Sequence, residues 1–134
     1  MSRTESRFAH QKLDAYRVAI ELFRGVEQLA VGLPRGYADL KDQLRRAAAA
    51  VPRHIAEGAN RAHPGDKAAR FVVAKGEVGE CDACLEMAEV LALGPAGTLA
   101  ELRRKADRVA AMLTGLVRQE RRRAESGTAP TAPA

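Results

Sequence analysis

Tryptophan is absent from this 134-residue chain, and three phenylalanines and two tyrosines are its entire aromatic content. A platform of exposed rings for stacking unpaired bases is therefore not expected. Strong strand formers are few beside Ala, Leu, Glu and Arg, which favours helix on propensity alone. Two cysteines are too few for a disulfide scaffold and suit a compartment where thiols stay reduced. No apolar run approaches the roughly 20 residues of a membrane span. The start, Met1-Ser2-Arg3-Thr4-Glu5, is polar and leads into no apolar segment, so a cytoplasmic protein without membrane attachment is expected. The chain has no Walker loop, G-x-S-x-G elbow or dinucleotide fingerprint, the motifs that would give an enzyme reading its residues. A non-enzymatic chain with no cofactor is the expectation.

What is present is alanine throughout, 46% hydrophobic residues and a formal charge of +5, with arginine well ahead of lysine. The length fits one domain with a real core. A basic excess favours nucleic acid, acidic proteins or anionic surfaces as partners.

Four periodic segments are separated by three breaks. The first runs from about His10 to Val31, with Leu13, Tyr16, Ala19, Ile20, Phe23 and Ala30 on one stripe. Gly32-Leu33-Pro34-Arg35-Gly36 ends it. The second begins near Tyr37 or Ala38, carries Leu40, Leu44, Ala47, Val51 and Ile55, and stops between Gly58 and Arg61. Pro52 falls inside it and should kink or loosen the helix. The third starts around Pro64 to Asp66, where proline is tolerated. Its main stripe is Phe71, Ala74, Val78, Cys81, Leu85 and Ala88; a second strip holds Val72, Gly76, Gly79, Ala83 and Val90. Interior glycines cost about 0.5–1 kcal/mol each, and a helix apolar on two sides needs a second neighbour. Gly76, Gly79 and Ala83 are therefore candidate self-association residues. After Gly94-Pro95-Ala96-Gly97 the fourth segment runs from about Thr98 into Arg121-Arg122-Arg123, with Leu99, Leu102, Ala106, Val109, Leu113, Leu116 and Val117 inward. The expected architecture is all-α, an up-down-up-down four-helix bundle over residues 10–124, with an extension (1–9) and a flexible tail (125–134).

Little of the candidate chemistry holds together. Cys81-Asp82-Ala83-Cys84 is a lone C-x-x-C on a helix, without the strand context of a redox pair or a second zinc half-site. His54 and Glu57 share a face, but the pair is not repeated as a di-metal bundle requires, so no metal site is expected. Glu57 is expected to pair with Arg46, Arg53 or Arg61. Opposite the apolar stripe of the fourth helix, Arg104, Arg108, Arg118 and Arg122 lie within about 40° of one line roughly 27 Å long. With Arg121 they are the candidate nucleic-acid contacts, because a line of arginines can track a phosphate backbone.

Gln43-Leu44-Arg45-Arg46-Ala47-Ala48 is followed by Val51-Pro52-Arg53-His54-Ile55-Ala56-Glu57-Gly58 and Arg61. With Leu13, Tyr16 and Ala19, with Leu33-Pro34 before Tyr37 and Leu40, and with Ala74, Gly76 and Glu80, this series resembles the 23S ribosomal RNA intervening-sequence proteins. His54, Ala50 and Glu77 depart from that family's usual Asn, Ser and Ser. The resemblance implies a four-helix bundle, commonly a homopentamer, with Arg45, Arg46, Glu57, Gly58 and Arg61 as a structural motif. It also implies kinship with the accessory proteins of diversity-generating retroelements, which bind a reverse transcriptase and RNA. A pentamer would raise +5 per chain to about +25 per ring, a strong attractor for RNA. The expected function is a homopentameric binder of RNA or a ribonucleoprotein; the alternative is a scaffold docking an acidic protein without nucleic acid.

Overall fold

A computed structural model describes residues 8–127, so most of the expected extension and tail, 1–7 and 128–134, lies outside the described residues. Four helices form: α1 (Asp14–Val31), α2 (Ala38–Ala59), α3 (Pro64–Val90) and α4 (Ala96–Ser126). No strand occurs among the described residues.

The ends of the helices follow local chemistry. α1 begins four residues after the expected His10, because Ala9–Lys12 form a separate 3-10 turn and Leu13 is extended (φ −91°, ψ 130°). Asn60 at the end of α2 holds that turn: its Oδ1 accepts from the Ala9 N–H (3.1 Å) and its Nδ2 lies 2.8 Å from His10 Nδ1. α2 runs through Pro52 without a break, although Pro52 leaves the Ala48 carbonyl without its usual helical donor. α4 starts at Ala96 rather than Thr98, since extended Pro95 precedes the first turn and its carbonyl accepts from the Leu99 N–H (3.0 Å). Gly127, left-handed at φ 69°, ends α4 by donating its N–H to the Arg123 carbonyl, a conformation glycine adopts without strain.

The packing order is legible from cross-helix pairs. Glu27 meets Arg45 while Tyr16 and Ala56 line one groove, so α1 and α2 are antiparallel. Gly58 faces Phe71, and Lys67 Nζ donates to the Ala59 carbonyl at 2.8 Å, across the short turn between α2 and α3. Lys105 reaches Glu21, and Gly25 faces Leu102, so α4 returns alongside α1. α1 and α3 each pack on α2 and α4 but not on one another; they occupy opposite corners of the bundle.

The core is built from α1 (Ala15, Val18, Ala19, Leu22, Val26, Leu29) and the expected stripes of α2, α3 and α4, except that Leu40 and Leu116 are only half-buried at its edge. On α1 the expected stripe is corrected: Ala19 and Ala30 are buried, but Ile20 and Phe23 are only half-buried. α1 carries two adjoining apolar stripes, and the one facing both α2 and α4 excludes more water than the one at the α1–α2 edge. Within the helices, Gly25 and Gly58 permit close approach, and Gly94 does so in the turn before α4. A Cβ on Gly25 would overlap the Leu102 side chain, and one on Gly58 would sit 2.9 Å from the Phe71 ring. Arg103 ties α4 to α3, donating to Asp82 (2.9 and 3.0 Å) and to Glu89 (2.9 Å).

Candidate nucleic-acid interface

α4 positions its arginines by default. Its buried face is taken by Leu99, Leu102, Ala106, Val109, Leu113 and Val117, so residues half a turn away must face solvent. Arg104, Arg108, Arg118 and Arg122 are all exposed there, and Arg121, about 100° round the helix from them, is exposed as well. They are not equivalent. Arg104 Nη2 lies 2.7 Å from Glu101 Oε1, which accepts a second bond from its Nε (3.1 Å). Those bonds, first among the causes, and Lys105 hold the Glu101 carboxyl below its ordinary range. Arg108, Arg118, Arg121 and Arg122 make no ion pair among the described residues. Arg123, the third member of the terminal cluster, donates to Glu120 Oε2 at 2.9 Å.

Glu120 escaped sequence reasoning. It is buried, with 5% exposure, and its Oε1 has no hydrogen-bond partner. The signal was its place three residues after Val117 and seven after Leu113, continuing the apolar stripe.

The motif on α2 does not gather into one site. Arg45 reaches back to α1, donating to both oxygens of Glu27 at 2.9 and 3.0 Å; that bidentate bond is the main cause of the lowered Glu27 pKa. Arg46 is exposed and unpaired among the described residues. Glu57 accepts from Arg61 (3.1 Å) and lies 3.7 Å from Arg70 on α3. Of its expected partners only Arg61 is correct: Arg46 and Arg53 make no such pair, and Arg70 was missed. The Arg61 hydrogen bond chiefly lowers the Glu57 pKa. His54 Nδ1 is buried without a hydrogen-bond partner, 3.7 Å from Glu57 Oε1. Gly58 is buried against Phe71, which gives the motif glycine a packing reason.

Residues 11–115 match the family described as 23S rRNA-intervening sequence protein. The chain belongs to this family. The intervening-sequence match spans the last two residues of the 3-10 turn, α1, α2, α3 and α4 as far as Gly115. Arg104 and Arg108 lie inside it, whereas Arg118, Arg121 and Arg122 lie beyond. Comparison with curated proteins gives no match.

Two other features of this intervening-sequence protein bear on its chemistry. Cys81 and Cys84 are buried on α3, and burial pushes the Cys81 thiol up to about 12 and raises that of Cys84. Among the described residues no group of three or more His, Cys, Asp or Glu side chains is placed to hold a metal ion, and no helix is long and apolar enough to cross a membrane. On α3 the expected second strip is exposed: Gly76, Gly79 and Ala83 face outward, flanked by Val72 (44% exposed), Met87 (53%) and Val90 (78%).

Proposed function

We propose that this chain is a non-enzymatic, cytoplasmic, self-associating bundle that binds RNA or a ribonucleoprotein through the basic face of α4. The observation that carries the reading is the set of exposed, unpaired arginines Arg108, Arg118, Arg121 and Arg122. A cation already neutralised by a carboxylate gains little from a phosphate, so these four are the strongest contacts and Arg104 a weaker one. Membership of a family named for a ribosomal RNA insertion supports an RNA-related role, and a reverse transcriptase with its RNA is one partner of the right chemistry.

Self-association is supported by α3, whose outward face keeps apolar and glycine residues where a solvated helix carries charge. Five copies are favoured by the resemblance. The non-enzymatic reading is supported by the surroundings of the carboxylates and thiols. Each shifted carboxylate, Glu27, Glu57 and Glu101, is held low by arginine, whereas a general acid needs its pKa raised. Both thiols are raised, the opposite of an activated nucleophile.

The test is binding of a labelled structured RNA to wild type and to Arg108→Ala/Arg118→Ala. The variant is expected to keep its helical signal and bind roughly tenfold more weakly at low salt, since each lost phosphate contact removes an additive electrostatic increment. Equal affinities would remove α4 from the site.

A further inference from the structure

Of the seven large apolar side chains left exposed among the described residues, Val72, Val73, Met87, Val90 and Leu91 belong to α3 or its C-terminal edge. Val72, Met87 and Val90 align with Gly76, Gly79 and Ala83 as a ridge with a shallow notch, where a Cβ on either glycine would meet nothing within 4 Å, while Val73 and Leu91 lie about 100° round the helix. Exposed Lys75 flanks the first turn of this ridge, and from residue 76 onward its flanks are acidic. Residues 76–90 carry Glu77, Glu80, Asp82, Glu86 and Glu89 and no Lys or Arg. Arg103 alone forms ion pairs with Asp82, Glu86 and Glu89, and Glu77 and Glu80 have no partner among the described residues.

The opposite corner of the bundle carries the complement. Half-buried Tyr16, Ile20 and Phe23 on α1 and Ala49 and Pro52 on α2 line a groove with Arg53 on its rim. Arg46, one helical repeat before Arg53 on the same face, and Arg24 on α1 flank it; all three are unpaired among the described residues. The groove is thus apolar with basic flanks, and the ridge is apolar with acidic flanks.

We infer that the α3 ridge of one copy docks in the α1–α2 groove of a second copy, a head-to-tail contact between two different faces. This inference rests on the self-association proposed above and adds which surfaces meet. A twofold α3–α3 contact would set Glu80 and Glu86 against their own copies and leave the groove uncovered. The head-to-tail contact places them beside Arg46 and Arg53 and removes both apolar surfaces from water.

The heights of the two patches say how the contact propagates. Gly58 lies against Phe71, and the Ala59 carbonyl against Lys67. Because both helices rise about 1.5 Å per residue, Ala49 to Arg53 are level with roughly residues 74–79 of α3, where the notch lies. Where neighbouring copies keep their bundle axes parallel, level patches let a heterologous contact turn without climbing, the condition a closed ring requires. The α3 and α1 corners are then occupied, and the arginine line of α4 stays outside the contact.

The experiment uses two variants that each block one face: Val72→Arg/Ala83→Arg on the ridge and Ile20→Arg/Ala49→Arg in the groove. Circular dichroism establishes that each is folded. Should a double variant lose its helical signal, Ala83→Arg or Ala49→Arg alone takes its place. Sedimentation then gives the mass of wild type, of each variant and of their equimolar mixture. Head-to-tail docking predicts an oligomeric wild type, two monomeric variants, and a mixture that forms a one-to-one pair and stops there, since only one intact ridge and one intact groove remain. A groove variant as large as wild type, or a mixture that stays monomeric, would overturn the inference while leaving self-association standing. A monomeric wild type would instead remove the self-association reading itself.

Discussion

Glu57 shows how far a charged residue can be read at the scale of a single side chain. Its carboxylate holds Arg61 and Arg70 together across the α2–α3 turn, but all three side chains are substantially exposed. Glu57→Ala is therefore expected to lower the melting temperature only slightly and leave RNA affinity unchanged; lost RNA binding with unchanged melting would make the residue functional instead. Its folded-state pKa, like those of Glu27 and Glu101, lies below the ordinary value. Stability from these carboxylates is present above that value and disappears as pH falls through the lower folded value. Melting followed from about pH 7 to about pH 3 should show the loss, and Glu27→Gln should reduce it. Gly58 carries more weight. A methyl group there meets the stiff Phe71 ring at 2.9 Å, so Gly58→Ala should destabilise by about 1–3 kcal/mol in chemical denaturation, in spite of alanine's better helix propensity. The motif was legible in sequence; the reason for its glycine was not, because Phe71 lies across the helix pair. Gly25 was missed for the same cause, its partner Leu102 being on another helix.

For whole helices, legibility tracked how unambiguous the apolar pattern was. On α3 the stripe from Phe71 to Ala88 is buried and the strip through Gly76 and Gly79 is exposed, as the spacing predicts. α4 is likewise legible, apart from Leu116, which is half-buried, and buried Glu120. On α1 the reading went astray because Tyr16, Ile20 and Phe23 are as apolar as Val18, Leu22 and Val26; only the position of α4 decides which set is enclosed. The free surface of α3 gives a prediction that separates bundle from assembly. Within one chain a methyl group at Gly76 or Gly79 meets nothing, so Gly76→Ala should stabilise the isolated bundle by about 0.5–1 kcal/mol. Gly79→Leu should leave helicity intact yet dissociate the assembly, since overfilling a close contact costs about 1–3 kcal/mol. Light scattering with circular dichroism reads both effects. Cys81 and Cys84, on the inner face of the same helix, should react with a thiol reagent only after unfolding, as their burial and raised pKa values require.

Across the whole molecule the charges sort by corner: acidic along the second half of α3, basic beside the α1–α2 groove, and basic again along α4. The α4 arginines were legible as a line in the sequence, but their inequality was not. Arg104 is engaged by Glu101, whereas Arg108, Arg118 and Arg122 stand unpaired. That inequality makes the account's central claim, phosphate binding through α4, quantitative. The most direct measurement is the RNA association constant of wild type and of Arg108→Ala/Arg118→Ala over a series of salt concentrations. Phosphate contacts release counterions, so the logarithm of the constant should fall steeply and linearly with the logarithm of salt. The variant's slope should be shallower by about 1.4 to 1.8 per bound copy, two contacts at roughly 0.7 to 0.9 each. Binding that ignores salt, or a variant whose line is parallel to wild type, would contradict it.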